Sequence, residues 1–548
     1  MPKSAASASV KESAPSGGGS RLWGGVLLVL MIALALGLRL PRLGARPMHA
    51  DESVHALKFV TLLEQGKYTY DPNEFHGPTL YYFTLPVVRL RGERTSAQVT
   101  EATLRLTPLL FGMGLILLLP LASGGLGRGA LLGAGALLAV SPAMVYYSRY
   151  YIHELLLVVF TWVAIGAGWQ YLRVRRLGWM LLAGAALGLM HATKETFVFN
   201  LAAAAAAGAG AWLWGRWRPP ETIPAGGRSS RRPAKHLALG VLLAAAVSVL
   251  FFSSFFTHEK GVWQGPLDSL RAYLPWIQRA GGESPHVHPW YFYLERLGWW
   301  HRPEGPVFTE LFVLALAGIG MTTGFRRRVP GGGDVRFVRF LTLYTLALTA
   351  IYSVIAYKTP WCLLGFYHGM ILLAGVGGAT LWRAVRSFAG RAALAGVLLA
   401  GGLHLTVEAR RAAFVYAASP KNPWVYAHTS PDLLRLVRRV LGMAAHHPHP
   451  DQMVVKVMCP GGDYWPLPWY FRTLPHVGYY AAVPEDPFAD AVVAGSRIAP
   501  PLDDLSNKKW IMAGYYEQRP KVFVTLYARF ALWKDYIESL PPPDEGEE

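Results

Sequence analysis

The chain has 548 residues, 52% hydrophobic and 16% charged, with a formal net charge of +19. Repeated apolar runs in such a composition exclude an ordinary soluble domain and point to a polytopic membrane protein. The basic surplus lies in short loops between apolar spans, the pattern of positive-inside topology rather than of a nucleic-acid surface, and Cys362 and Cys459 are too few for a disulfide framework or a cysteine metal cluster.

Residues 1–20 are rich in Ser, Ala and Gly, carry lysines, and read as a disordered cytoplasmic tail. The run 22–40 exceeds a signal-peptide core and lacks a small-x-small cleavage site, so it reads as a retained first helix. With about 20 residues as the measure of a span, further helices are predicted near 104–122, 129–147, 155–172, 178–192, 197–214, 237–256, 306–324, 339–357, 361–382 and 392–408, about eleven in all. Four loops carry the arginines: Arg173, Arg175 and Arg176; Arg216, Arg218, Arg228, Arg231 and Arg232 with Lys235; Arg326, Arg327 and Arg328; Arg383, Arg386 and Arg391. All four fall on the side of the N-terminal tail, which makes that side cytoplasmic. The opposite face receives segments 41–103 and 257–305, the turns near 148–154, 191–196 and 358–361, and everything after about 408.

The transmembrane domain is thus expected over 21–408. Residues 409–540 read as a small extracytoplasmic α/β domain, with a helix at Ser430 to Val440, a strand at Met453 to Met458 and a strand or strand pair at Lys521 to Trp533, followed by an acidic tail at 541–548. Cys459 is expected to react with an impermeant thiol reagent from outside if it is not buried.

The outer face collects the suggestive residues. Met48-His49-Ala50-Asp51-Glu52-Ser53 places an acidic pair just beyond the first span, ahead of Val54, Leu57, Val60 and Leu63 at the spacing of an interfacial amphipathic helix. Asp51 as a helix cap and Asp51 as a reactive carboxylate are both open readings of this stretch. His76-Gly77-Pro78-Thr79-Leu80-Tyr81-Tyr82 follows; Tyr147-Ser148-Arg149 with Glu154, Lys194 with Glu195, and Lys358 occupy later outer turns. Glycosyl transfer from a lipid-linked phosphosugar needs a carboxylate to take the acceptor proton and cations to stabilise the departing phosphate. Asp51 suits the first role, and Arg149, Lys194 and Lys358 the second. Asp51 and Glu154 are also candidate ligands for a divalent cation, magnesium or manganese by their hard oxygens, while His49, His76 or His153 would admit zinc; the spacing is no metal signature. His286 and His288, in Pro285-His286-Val287-His288-Pro289-Trp290, read as part of an interfacial aromatic belt or a sugar groove, and Trp465 and Trp469 as sugar-stacking or domain-packing residues.

Through Asp51-Glu52, His76-Gly77-Pro78 with Leu80-Tyr81-Tyr82, and Tyr147-Ser148-Arg149 with Glu154, the chain resembles GT-C-type, polyprenyl-phosphate-sugar-dependent glycosyltransferases of the protein-mannosyltransferase and aminoarabinose-transferase superfamily. Asn422 to Asp432 and Tyr464 to Tyr470 are most similar to a flippase-activity-associated subgroup of archaeal-type protein N-glycosylation. The resemblance implies a GT-C-like helical membrane fold, catalytic acids at Asp51, Glu52 and Glu154, and a donor site including His76, Tyr81, Tyr82, Arg149, Lys194, Glu195 and Lys358. Superfamily members often carry lysine where this chain has His76, which replaces a permanent charge with a titratable one. The expected function is transfer of a sugar from a polyprenyl-phosphate donor to a glycan, lipid or protein acceptor hydroxyl at the extracytoplasmic face of the cell membrane. The alternative is a transporter or flippase-associated protein without catalysis, but that class places charges near the bilayer midplane in repeated, broken helices, whereas these lie at outer helix ends.

Overall fold

A computed structural model describes residues 18–72, 76–219, 233–272, 286–329, 332–498, 500, 502 and 509–541. Most of the N-terminal tail, the acidic tail beyond residue 541, and Arg228, Arg231 and Arg232 lie outside the described residues.

The first half is helical: α1 (Gly18–Arg39), α2 (Ala50–Gln65), α3 (Thr79–Leu90), α4 (Glu101–Leu117), α5 (Arg128–Val140), α6 (Pro142–Tyr147), α7 (Glu154–Val174), α8 (Leu177–His191), α9 (Phe197–Trp217) and α10 (Pro233–Phe252). Among the described residues, seven helices are long and apolar enough to cross a membrane, and Gly25–Arg39, Arg128–Val140, Leu177–His191 and Leu311–Gly324 are shorter apolar ones. Each coincides with a predicted span. Helices suit this environment because lipid offers no partner for a backbone N–H or C=O.

Three boundaries differ from expectation for local reasons. α1 begins at Gly18, inside the predicted tail. The span predicted at 129–147 is two helices, because Ser141 caps α6 through Met144 N–H and Pro142 has no N–H to continue α5. The span expected from 306 starts at Leu311, after Glu310. Small residues bring helices into backbone contact: a Cβ on Gly184 of α8 would stand 2.1 Å from the Gly240 carbonyl oxygen of α10.

The C-terminal unit has a five-stranded sheet of β1 (Val454–Met458), β2 (His476–Tyr480), β3 (Ala491–Gly495), β4 (Trp510–Arg519) and β5 (Val522–Arg529) in the order β2-β1-β3-β5-β4. β1 is parallel to β2 and β3, whereas β5 is antiparallel to β3 and β4. Helix Leu433–His446 covers one face with Leu433, Leu436, Val437, Val440 and Met443. The predicted strand at 521–533 ends at Arg529. Phe530–Glu538 is a helix whose Leu532 and Tyr536, four residues apart, are buried, a 3.6-residue period hidden behind the strand's apolar run.

This unit rests directly on the end of the bundle where α2 begins. Tyr470 Oη accepts from Met48 N–H at 2.8 Å, Thr429 Oγ1 donates to the Met48 carbonyl at 2.7 Å, and Trp469 Nε1 donates to Glu101 at 2.8 Å. Arg472 stacks over Trp469 and donates to the Ser96 and Val99 carbonyls. Trp469, fully buried, is therefore a domain-packing residue rather than an open sugar platform. Cys459 is also buried, so it offers no readout of sidedness to an external thiol reagent.

Candidate active site

α2 starts in a capping box made by His49 and Glu52, not by Asp51. Asp51 N–H donates to His49 Nδ1 at 3.1 Å, and His49 N–H donates to Glu52 Oε2 at 3.1 Å. Because His49 Nδ1 accepts, the ring proton sits on Nε2, which donates to the Tyr426 carbonyl at 3.1 Å. Glu52 has no exposed surface. Its oxygens also receive Arg46, the Tyr151 N–H, and both Nε and Nη2 of Arg105. Burial alone would raise its pKa, but Arg105 and Arg46 outweigh burial and hold the carboxyl well below the usual range. A carboxylate with five hydrogen bonds and two guanidinium partners is held as a structural anion. Asp51 differs. Its carboxylate is 48% exposed, its nearest ion partner is His49 Nδ1 at 3.9 Å, and among the described residues it accepts no hydrogen bond.

The second group lies where α3 and α9 begin. The Gly77 N–H donates to the Thr193 carbonyl at 3.1 Å, and His76 pairs with Lys194 as an isolated β-bridge, which joins the turns that precede α3 and α9. His76 Nδ1 meets Glu195 Oε2 at 3.1 Å, while Tyr70 donates to Glu195 Oε1 at 3.3 Å. Lys194 forms an ion pair with Glu154, both buried, and Glu154 reinforces the ammonium charge strongly enough to overcome burial. The pair lines a cavity with Thr196, Asn200, Tyr352, Trp361 and Cys362, with about 20 Å³ open to the centre of a water molecule. Beside it, the rings of His55, His76 and His153 stand 4.6–5.6 Å apart by centroid, and His55 Nδ1 meets Tyr81 Oη at 3.0 Å. Burial, the neighbouring imidazoles and Lys194 push His55 and His153 well below the ordinary histidine range, so both are neutral at pH 7.

A third group comes from sequence that was assigned mainly to the aromatic belt. Segment 286–288 runs against 356–358: His288 N–H donates to the Ala356 carbonyl at 3.0 Å, and Lys358 N–H to the His286 carbonyl at 2.8 Å. Lys358 Nζ donates to the His288 and Ile355 carbonyls and forms no ion pair with a carboxylate among the described residues. Tyr426 Oη joins His286 Nδ1 at 2.8 Å and His288 Nε2 at 2.9 Å. Trp361 connects the groups: its ring lies 5.7 Å from His49 and 6.1 Å from Tyr426, and it lines the Glu154–Lys194 cavity.

Two expected substrate-binding residues are elsewhere. Arg149 donates to the carbonyls of Arg39, Pro41 and Arg42, closing the end of α1 with its guanidinium committed. Tyr82 leaves the site, bonding Ser254 and packing on Phe251 and Phe255, because consecutive helical residues point about 100° apart. Glu154 is engaged by Lys194, and no group of three or more His, Cys, Asp or Glu is placed to hold a metal among the described residues. His286, His288 and Tyr426 were not selected as site residues; the paired histidines were the available signal.

Across 92% of its length the chain superposes on the apo crystal structure of ArnT from Cupriavidus metallidurans, with a TM-score of 0.61, 14% identity and 98% of that protein covered. The same enzyme bound to undecaprenyl phosphate matches with a TM-score of 0.59, 14% identity and the same coverages. The chain has the GT-C fold. The apo oligosaccharyltransferase of Archaeoglobus fulgidus gives this GT-C chain a TM-score of 0.53 at 13% identity, over 94% of the chain and 77% of that protein. Residues 80–260 match the family model described as dolichyl-phosphate-mannose-protein mannosyltransferase. No curated protein matches by sequence. The flippase-associated assignment rests on the sequence motifs alone.

Proposed function

We propose that the protein transfers a sugar from a polyprenyl-phosphate donor to an acceptor hydroxyl at the extracytoplasmic membrane face, with Asp51 as the general base. One observation carries the assignment: of the acids gathered at the site, Glu52, Glu154 and Glu195 are buried and bonded, whereas Asp51 presents a half-exposed side chain with no hydrogen-bond donor among the described residues. The acceptor oxygen attacks the anomeric carbon as its proton passes to Asp51. The bond from that carbon to the phosphate oxygen breaks with its electron pair, and polyprenyl phosphate leaves with inversion. Lys358, uncompensated by a carboxylate, directs positive charge toward the departing phosphate; the Glu154–Lys194 pair and His76 line the adjoining wall. The GT-C fold, which it shares with an ArnT structure containing undecaprenyl phosphate, supports the donor class.

The test is purified Asp51→Asn with a polyprenyl-phosphate sugar. Loss of transfer with retained donor binding supports the reading, and wild-type transfer removes Asp51 as the base. Sidedness is tested by placing single cysteines at exposed positions of the sheet domain in a cysteine-free chain; labelling solely from the cytoplasmic side overturns the extracytoplasmic placement.

A further inference from the structure

The Tyr426 hydroxyl is held between two imidazoles that belong to an outer segment more than 130 residues away, at 2.8 Å from His286 Nδ1 and 2.9 Å from His288 Nε2. A phenol has one proton, so one imidazole accepts from Tyr426 and the other donates to it. Neither ring is charged at neutral pH: burial lowers His286, and burial with Arg296, His286 and Lys358 lowers His288 to about 4. Two neutral rings with complementary tautomers are the arrangement that a single hydroxyl can satisfy.

Tyr426 also acts through its backbone. Its carbonyl accepts from His49 Nε2 at 3.1 Å, and His49 Nδ1 accepts the N–H of Asp51 at 3.1 Å. One residue thus connects the 286–288 segment to the backbone of the proposed base. The segment is braced from behind by the 356–358 pairing, and Tyr426 is flanked by Trp361 and by both histidine rings at 5.6–6.1 Å. His286 faces Asp51 and His49 electrostatically.

We propose that Tyr426 is a positioning residue for the transfer reaction: clamped by His286 and His288, it fixes the His49 cap and thereby the placement of the Asp51 carboxylate. The inference rests on Asp51 being the base. Its mechanical basis is that a reacting group displaced by about 1 Å loses about a hundredfold in rate even when substrate binding persists. Removing the hydroxyl lets the 422–430 connection and the 286–288 segment move apart, so the carboxylate samples orientations unable to take the acceptor proton.

Tyr426→Phe tests this, because it keeps the ring and the carbonyl and removes the hydroxyl that bonds both imidazoles. The expected result is kcat reduced by about tenfold to a hundredfold, with the donor KM and the melting temperature unchanged. His286→Gln with His288→Gln, which removes the same clamp from its other side, should give a similar kcat loss and little further loss when combined with Tyr426→Phe. Wild-type kcat in Tyr426→Phe, or a rise in KM without a fall in kcat, overturns the positioning role. Asp51→Asn is measured alongside. If it is inactive while Tyr426→Phe is fully active, positioning fails and the proposed base stands; if Asp51→Asn transfers sugar normally, both fail.

Discussion

Arg105 grips Glu52 with two parallel hydrogen bonds, Nε to Oε1 and Nη2 to Oε2, each 2.8 Å long. Arg105 lies on α4 and Glu52 in the first turn of α2, so the fork fixes α2 to a helix long and apolar enough to cross a membrane. Two adjacent acids consequently have separate duties: Glu52 fastens the turn that presents Asp51.

Glu52→Gln should therefore fail chiefly by unfolding. It leaves Arg105 and Arg46 buried without their anion, a defect of about 3–5 kcal/mol. Thermal denaturation in detergent should show a large loss, whereas Asp51→Asn should melt like the wild type. Equal stability in the two variants would contradict this division.

Lys358→Met should weaken transfer without comparable unfolding. Its two backbone acceptors lose a donor, yet no carboxylate is left unpaired. On the role proposed for Lys358 at the departing phosphate, its loss should lower kcat/KM by roughly a hundredfold. Polyprenyl phosphate should also raise the melting temperature of this variant less than that of the wild type.

The Glu154–Lys194 pair calls for a double-mutant cycle. Lys194→Met strands a buried carboxylate and should cost about 3–5 kcal/mol, while adding Glu154→Gln should recover most of that loss. Additive losses would mean that the pair is not coupled in the folded protein.

Glu310 gives a pH signature independent of catalysis. Burial raises its carboxyl to about 7, against hydrogen bonds from Tyr367, the Ala143 N–H and Ser141 that favour the anion. The folded state thus holds the proton more tightly than the unfolded chain. Its contribution is fully present below the ordinary glutamate value near 4.5 and is lost as pH rises to about 7, a change of about 3 kcal/mol. Thermal melts between pH 4.5 and 8 should show a Glu310→Gln variant losing less stability with rising pH than the wild type.

Span positions were readable in the sequence because a hydrocarbon layer demands long apolar helices, and Arg placement sorted the turns that His76, Lys194 and Lys358 occupy. Helical spacing also predicted α2. Commitments made across the fold were not readable: Glu52 and Asp51 are neighbours with the same chemistry, and only Arg46 and Arg105, packed from separate segments, distinguish them. Arg149 looked available because nothing local reveals that the end of α1 occupies its guanidinium. Tyr426 was hidden for the opposite reason, since its partners lie far away in sequence. β2 and β3, five residues each, were missed because short strands carry little periodic signal of their own.

The contacts of Met48 with Tyr470 and Thr429, and of Ser53 with Pro466, seat the C-terminal unit against the start of α2. A chain truncated after the last membrane helix would retain every proposed catalytic side chain except those on the 422–430 connection, yet α2 would begin in an unroofed loop. The domain acts as a keystone: whatever loosens its seat on Glu101 and Val99 also loosens the turn from which α2, and with it the proposed base, begins.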